Sequence, residues 1–160
     1  MHRVDNSRFL LFIEPGKWQK RCFSKNDDIS KIMHLALEEG EFGTSNYDRL
    51  NEKPGFHKGG LYRGYHETDC GYCCYYDYLL ENGMITNELA EYYVRYYRRA
   101  IPKTEMQKVL QLVEYYKNKY KDKPDLIKNI KLEKINKIYH NHQYDKLFNF
   151  LLRILKKQNH

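Results

Sequence analysis

The stretch Cys73–Thr86, CCYYDYLLENGMIT, limits the fold of this chain more than any other. Asn82-Gly83 stands between two apolar runs. Both central residues of a type I′ turn need positive φ, which Asn and Gly tolerate, so the stretch predicts a β-hairpin. The segments around it carry a different period. NDDISKIMHLALEEG reads as a helix, with Asn26 or Asp27 as cap and Gly40 as stop. Its apolar stripe is Ile29, Ile32, Met33 and Ala36, and His34 falls outside it, at the surface. TNELAEYYVRYYRRAIP reads as a second helix, capped by Thr86 or Asn87 and ended by Pro102.

The remaining stretches complete an α+β chain. RFLLFIEPGKWQKRCF predicts two short strands around Pro15-Gly16, the first buried on both faces. Gly40 to Gly60 is polar and glycine-rich and reads as a long loop. GGLYRGYH reopens regular structure as a strand. The last third is helical in pattern. KTEMQKVLQLVEYYKNKYK places Met106, Val109, Leu110, Val113 and Tyr116 or Lys117 at helical spacing, and Lys123-Pro124 breaks it. DLIKNIKLEKINKIYHN and YDKLFNFLLRILKKQ follow. The expected architecture is a small antiparallel sheet with packed helices over residues 1–102. A basic all-helical C-terminal segment, 103–160, follows and packs on that body as one unit.

Charge divides the chain at the same place. Residues 1–102 hold 14 Lys and Arg against 15 Asp and Glu, whereas 103–160 hold 14 against 6. The whole positive excess therefore lies in the last third. A basic block of this kind suits nucleic acid, an acidic protein or anionic lipid, although a solvated lysine face on amphipathic helices has the same composition. The basic residues singled out for nucleic-acid or anion binding are Arg95, Arg98, Arg99, Lys128, Lys131, Lys134, Lys156 and Lys157. No run of 18 apolar residues is present, so no membrane span is expected. The apolar run Phe9–Ile13 is too short for a secretory signal. The four cysteines include the adjacent pair Cys73-Cys74, which suits a reducing, intracellular compartment. Frequent Lys, Ile, Asn and Tyr fit an AT-rich genome such as that of a microbe, a parasite or a large virus.

HETDCGYCC, residues 66–74, is the densest chemical cluster. Cys70-x2-Cys73 has the spacing of a zinc knuckle, in which two thiolates grip one side of a tetrahedral ion. Two more ligands are needed. The helix after the hairpin offers tyrosines where a zinc finger has histidines, so the nearest nitrogens are His57 and His66. His140 and His142 are a more distant source. A structural zinc held by His57, His66, Cys70 and Cys73 is one reading. A redox dithiol is another, weakened because CGYC runs into a strand instead of opening a helix. A third is a small enzyme with a His/Cys/Asp site near His57, His66, Asp69 and Cys70. The plainest is that Cys73 and Cys74 are small buried residues on a strand.

Tyr92, Tyr93, Tyr96 and Tyr97 share one helix with Arg95, Arg98 and Arg99. Such a mixture stacks on bases and pairs with phosphates in some proteins. A tyrosine-rich core face with arginines exposed at the helix end explains it more simply. No P-loop, GxGxxG, HExxH, GxSxG or EF-hand pattern occurs. The expected function is therefore a non-enzymatic binding protein whose basic helical part meets nucleic acid or an acidic partner. A structural or assembly protein, with a homo-oligomer formed through the apolar final helix, is the further alternative.

Overall fold

The computed structural model describes residues 8–13, 23–48, 53–58, 66–67, 73–74, 76–133 and 135. Helices and antiparallel strands are combined as an α+β fold. In chain order the elements are α1 (Asp28–Glu39), β1 (Glu41–Asp48), β2 (Lys53–Lys58), β3 (His66–Glu67), β4 (Cys73–Cys74), β5 (Asp77–Leu79), β6 (Ile85–Asn87), α2 (Leu89–Tyr96), α3 (Lys103–Lys119) and α4 (Pro124–Asn129). The main sheet runs β2-β1-β5-β6, and β3-β4 form a separate ladder.

The hairpin forms where the sequence placed it, with Leu79 opposite Ile85 and Asp77 opposite Asn87. Its turn is of another type. Among the non-glycine residues described only Leu11 has positive φ, so Asn82 does not, while Gly83 has φ 82°. Gly83 N–H donates to the Leu80 carbonyl at 2.8 Å, and Leu80 N–H donates to the Met84 carbonyl at 2.8 Å. That is a three-residue loop, Glu81-Asn82-Gly83, closed by a left-handed glycine. The Asn82 side chain accepts from Met84 N–H at 3.1 Å instead of adopting positive φ itself.

The expected loop from Gly40 to Gly60 is a second hairpin. β1 pairs with β2 from Gly43↔Lys58 to Asp48↔Lys53, and with β5 through Phe42↔Tyr78. Pro54 and Gly55 lie inside β2, where an edge position tolerates a residue without an N–H. Turn-type residues here sit within strands because β1 and β2 pair with each other over six positions, and β5 anchors only the Glu41–Gly43 end of β1.

The N-terminal stretch departs from its reading as well. Over 8–13 there is a single parallel bridge, Phe9↔Ile85, and no strand. Leu10 N–H donates to the Ile85 carbonyl, and Ile85 N–H to the Arg8 carbonyl, both at 2.8 Å. At Leu11 the backbone turns left-handed, with φ 58°. That turn buries Leu10 and Leu11 together and aims the Leu11 N–H at Glu105 Oε2, 2.8 Å away. Lys108 steadies the arrangement, donating to Glu105 Oε1 at 2.6 Å and to the Phe9 carbonyl at 2.8 Å. The proposed turn at Pro15-Gly16 lies outside the described residues, as does most of GGLYRGYH.

α1 is capped by Asp27, which accepts from Ser30 N–H at 3.2 Å. It ends where the backbone turns extended at Gly40, ψ 150°, and a glycine is needed there for a steric reason. Gly40 has φ −71°, open to any residue, but an added Cβ would lie 3.0 Å from the Ala36 carbonyl oxygen. α1 is the central helix and buries Ile32, Met33, Leu35, Ala36 and Leu37 against its neighbours. α2 is shorter than expected. Thr86 and Asn87 belong to β6, and the Asn87 side chain accepts from Leu89 N–H at 3.0 Å. A 3-10 turn, Arg98–Ala100, links α2 to α3.

In α3 the buried stripe is Val109, Leu112, Val113 and Tyr116, whereas Leu110, expected inside, is 49% exposed. Pro124 opens α4 as the break implied, but α4 ends at Asn129 and residues 130–133 are not helical. Ile130 and Ile135 pack on the core, and Arg95 takes the Glu133 carbonyl at 2.6 Å. Tertiary partners replace the helical ones there. The helix expected over 144–157 lies outside the described residues. The core joins Leu10 and Leu11, the buried face of α1, Leu80, α2, the α3 stripe and Ile127. Each buried Leu or Ile contributes about 1.5–3 kcal/mol.

Candidate functional site

The tyrosines of α2 are core. Tyr92, Tyr93 and Tyr96 are buried, and the Tyr92 ring centroid lies 5.2 Å from that of Tyr96 and 5.5 Å from that of Tyr97. Buried rings are unavailable to bases. The arginines divide by depth. Arg95 is 3% exposed instead of standing at the helix surface. Its Nη1 donates to Glu91 Oε1 at 2.7 Å, and its Nη2 to the Glu133 carbonyl. Arg98 forks onto both oxygens of Asp27 and reaches Ser30 Oγ at 2.8 Å. That bond from Arg98, then the Ser30 N–H, holds the Asp27 carboxyl well below the usual carboxylate range against the opposing effect of burial. Arg99 alone of the three is exposed.

Sequence reasoning passed over His34 because its position on a helical wheel is polar. The structure makes it half-buried. Nδ1 is 3.0 Å from Glu91 Oε2 and Nε2 is 3.3 Å from Glu38 Oε1. Ionised carboxylates only accept, and a neutral imidazole has one donor, so this geometry suits the imidazolium. The bond to Glu91 raises the His34 pKa above its ordinary 6.5, burial and Arg95 opposing. The pairing of polar positions 34 and 91 was visible only once α1 and α2 packed together.

Another polar cluster joins α1, the β5–β6 turn and α3. Lys119 Nζ lies 2.7 Å from Glu39 Oε2 and 2.6 Å from Glu81 Oε2. It stands over the Tyr120 and Tyr116 rings, 4.9 and 5.5 Å from their centroids. Tyr120 donates to Glu39. Burial pushes the Glu39 carboxyl up, but the Lys119 and Tyr120 bonds outweigh it, so it titrates below its ordinary value. Two body carboxylates are thus occupied by one lysine of the basic third.

Other cations of that third face outward. Lys121, Lys123, Lys128 and Lys131 are exposed. Lys128 lies 3.6 Å from Asp125, while Lys121, Lys123, Lys131 and Arg99 form no ion pair among the described residues. On the adjoining turn of α1, Lys31 Nζ donates to the Lys128 carbonyl at 2.6 Å. Lys134, Lys156 and Lys157 lie outside the described residues. Residues 134–160 carry six basic residues against one acidic, the larger share of the excess.

The cysteine cluster is described in part. Cys70 and Asp69 lie outside the described residues, and of His57, His66 and Cys73 only the backbone is described. β3 and β4 pair His66 with Cys74 and Glu67 with Cys73, which brings the backbone of His66 beside that of Cys74. Cys74 itself is 1% exposed, and burial pushes its thiol up to about 12. Such a thiol stays protonated and packs as a small apolar group. Among the described side chains no three His, Cys, Asp or Glu groups gather to hold a metal ion. No helix among the described residues is long and apolar enough to cross a membrane. Comparison with protein-family models, with curated proteins and with solved structures finds no match.

Proposed function

We propose that this protein is a non-enzymatic binding protein whose basic C-terminal part contacts nucleic acid or an acidic partner. The observation that carries the reading is the division of charge. The body's carboxylates at Asp27, Glu39, Glu81 and Glu91 are engaged by Arg98, Lys119 and Arg95, and Glu105 of the basic third by Lys108. Arg99, Lys121, Lys123 and Lys131 are left facing solvent without such partners among the described residues. Asp122, Asp125 and Glu133 share their stretch, so the described part supplies a modest share of the attraction.

Fluorescence anisotropy with labelled single- and double-stranded oligonucleotides and an acidic peptide tests this. Each phosphate neutralised steepens the fall of affinity with salt, so binding should weaken at least ten-fold between about 50 and 200 mM salt. No affinity for either oligonucleotide at the lower salt removes the nucleic-acid version. No affinity for the peptide as well removes the whole reading.

A structural zinc held by His57, His66, Cys70 and Cys73 accompanies this proposal, resting on the Cys70-x2-Cys73 spacing. Elemental analysis of the purified protein should then give one zinc per chain, lost on replacing Cys70 and Cys73 by Ser. A metal-free protein with one hyper-reactive cysteine would favour the enzyme reading around His57, His66, Asp69 and Cys70 instead.

A further inference from the structure

Glu91 has two oxygens and two cationic partners. Oε1 takes Arg95 Nη1 at 2.7 Å, and Oε2 faces His34 Nδ1 at 3.0 Å. Arginine prefers to grip a carboxylate with both arms of its fork. Here it does not, because His34 holds the second oxygen. The other arm, Nη2, is therefore free to hold the Glu133 carbonyl at 2.6 Å. Arg95 is buried, so an arm that leaves Glu133 needs another acceptor. Oε2 of the same carboxylate, whose Oε1 already takes Nη1, offers an acceptor of matching charge.

We propose that His34 is a proton-controlled switch that decides whether Arg95 holds the main chain at Glu133 or closes with both arms on Glu91. With His34 charged, Glu91 is shared and the chain is held. With His34 neutral, Oε2 keeps at most one uncharged N–H donor, which the second guanidinium arm displaces; the fork closes and the Glu133 carbonyl is released. The stretch so governed leads into residues 134–160, which carry most of the positive excess. The switch therefore sets how firmly the chain is held at Glu133, just before that stretch, whatever the stretch binds.

The charged groups facing the ring are Glu38 from its own helix and Glu91 and Arg95 from α2. α3 and α4 also pack on α1, but they meet it at other residues: Lys117 at Asp28, Lys119 at Glu39 and the Lys128 carbonyl at Lys31. The sign follows from the bond to Glu91, which raises the pKa of His34 above 6.5. The held state is complete below that value and is lost as pH rises through the folded-state pKa.

Nuclear magnetic resonance of the full chain tests the switch. The Glu133 carbonyl carbon and the Arg95 guanidinium carbon should titrate with the midpoint of the His34 ring. Trypsin cleavage after Lys131, expressed relative to His34→Gln at the same pH, should rise about ten-fold across that midpoint, the effect of one hydrogen bond of roughly 1.4 kcal/mol. His34→Gln should abolish the step in both carbon signals. Glu38→Gln removes one exposed carboxylate and should move all midpoints down together, which keeps the test open if His34→Gln folds poorly. A Glu133 signal that stays flat while His34 titrates overturns the proposal, as does a step that survives in His34→Gln or midpoints that Glu38→Gln leaves in place.

Discussion

Replacing Glu105 by Ala tests how the N-terminal stretch is fixed to the body. Leu11 sits in the left-handed region, which costs a non-glycine residue about 1–2 kcal/mol. The conformation persists because it buries two leucines and directs the Leu11 N–H to Glu105 Oε2. Without that acceptor a donor is orphaned beside a 1% exposed side chain. An unsatisfied buried N–H costs about 1–3 kcal/mol. Lys108 also loses its carboxylate partner at 2.6 Å, in a pair only 22% and 16% exposed, worth a few tenths to about 1 kcal/mol. Glu105→Ala should therefore destabilise by roughly 2–4 kcal/mol, measured as a lower urea midpoint at unchanged slope. For a chain of this size that is a fall in Tm of very roughly 5–15 °C. Glu105→Gln keeps one acceptor oxygen and should lose less than half as much. The reasoning fails if Glu105→Ala costs under about 0.5 kcal/mol, or if Gln and Ala cost the same, since the acceptor would then be irrelevant.

Other perturbations have defined outcomes. Gly40→Ala drives a methyl to 3.0 Å from the Ala36 carbonyl and 3.3 Å from Leu80, and should cost about 1–3 kcal/mol in chemical denaturation. Asp27→Asn should lower stability near neutral pH. Because the Arg98 bond depresses the Asp27 carboxyl, the gap from the parent should shrink as pH falls below 3.8 and the parent itself becomes protonated. Cys74, pushed up to about 12, should resist alkylation in the folded protein and react on unfolding, as read by peptide mapping. Changing Arg99, Lys121, Lys123 and Lys131 together to Gln should weaken oligonucleotide binding and flatten its salt dependence; an unchanged slope would place the contacts elsewhere.

Local signals were legible in the sequence and long-range ones were not. Asp27, the α1 stripe and the glycine after Asn82 act through neighbours a few residues away, so their roles can be read in order along the chain. β1 and β2 hold Gly, Asn, Asp and Pro, which resemble loop residues until the two segments pair with each other and β5 anchors the start of β1. Strand preference depends on the surface a residue faces, and that surface is set by segments distant in sequence. The same holds for charge. Arg95 looks like a surface arginine at a helix end, yet its partners include Glu133, 38 residues onward. His34 looks idle on α1 until Glu91 arrives from 57 residues away.

The main sheet also shows how its margins are kept from recruiting other chains. On the β6 side, Arg8 and Leu10 already use both the N–H and the carbonyl of Ile85. On the β2 side, Pro54 has no amide hydrogen to offer a visiting strand. One flank is sealed by the chain's own start, and the other carries a gap in its row of donors. Addition of a further strand is disfavoured at Ile85 and at Pro54.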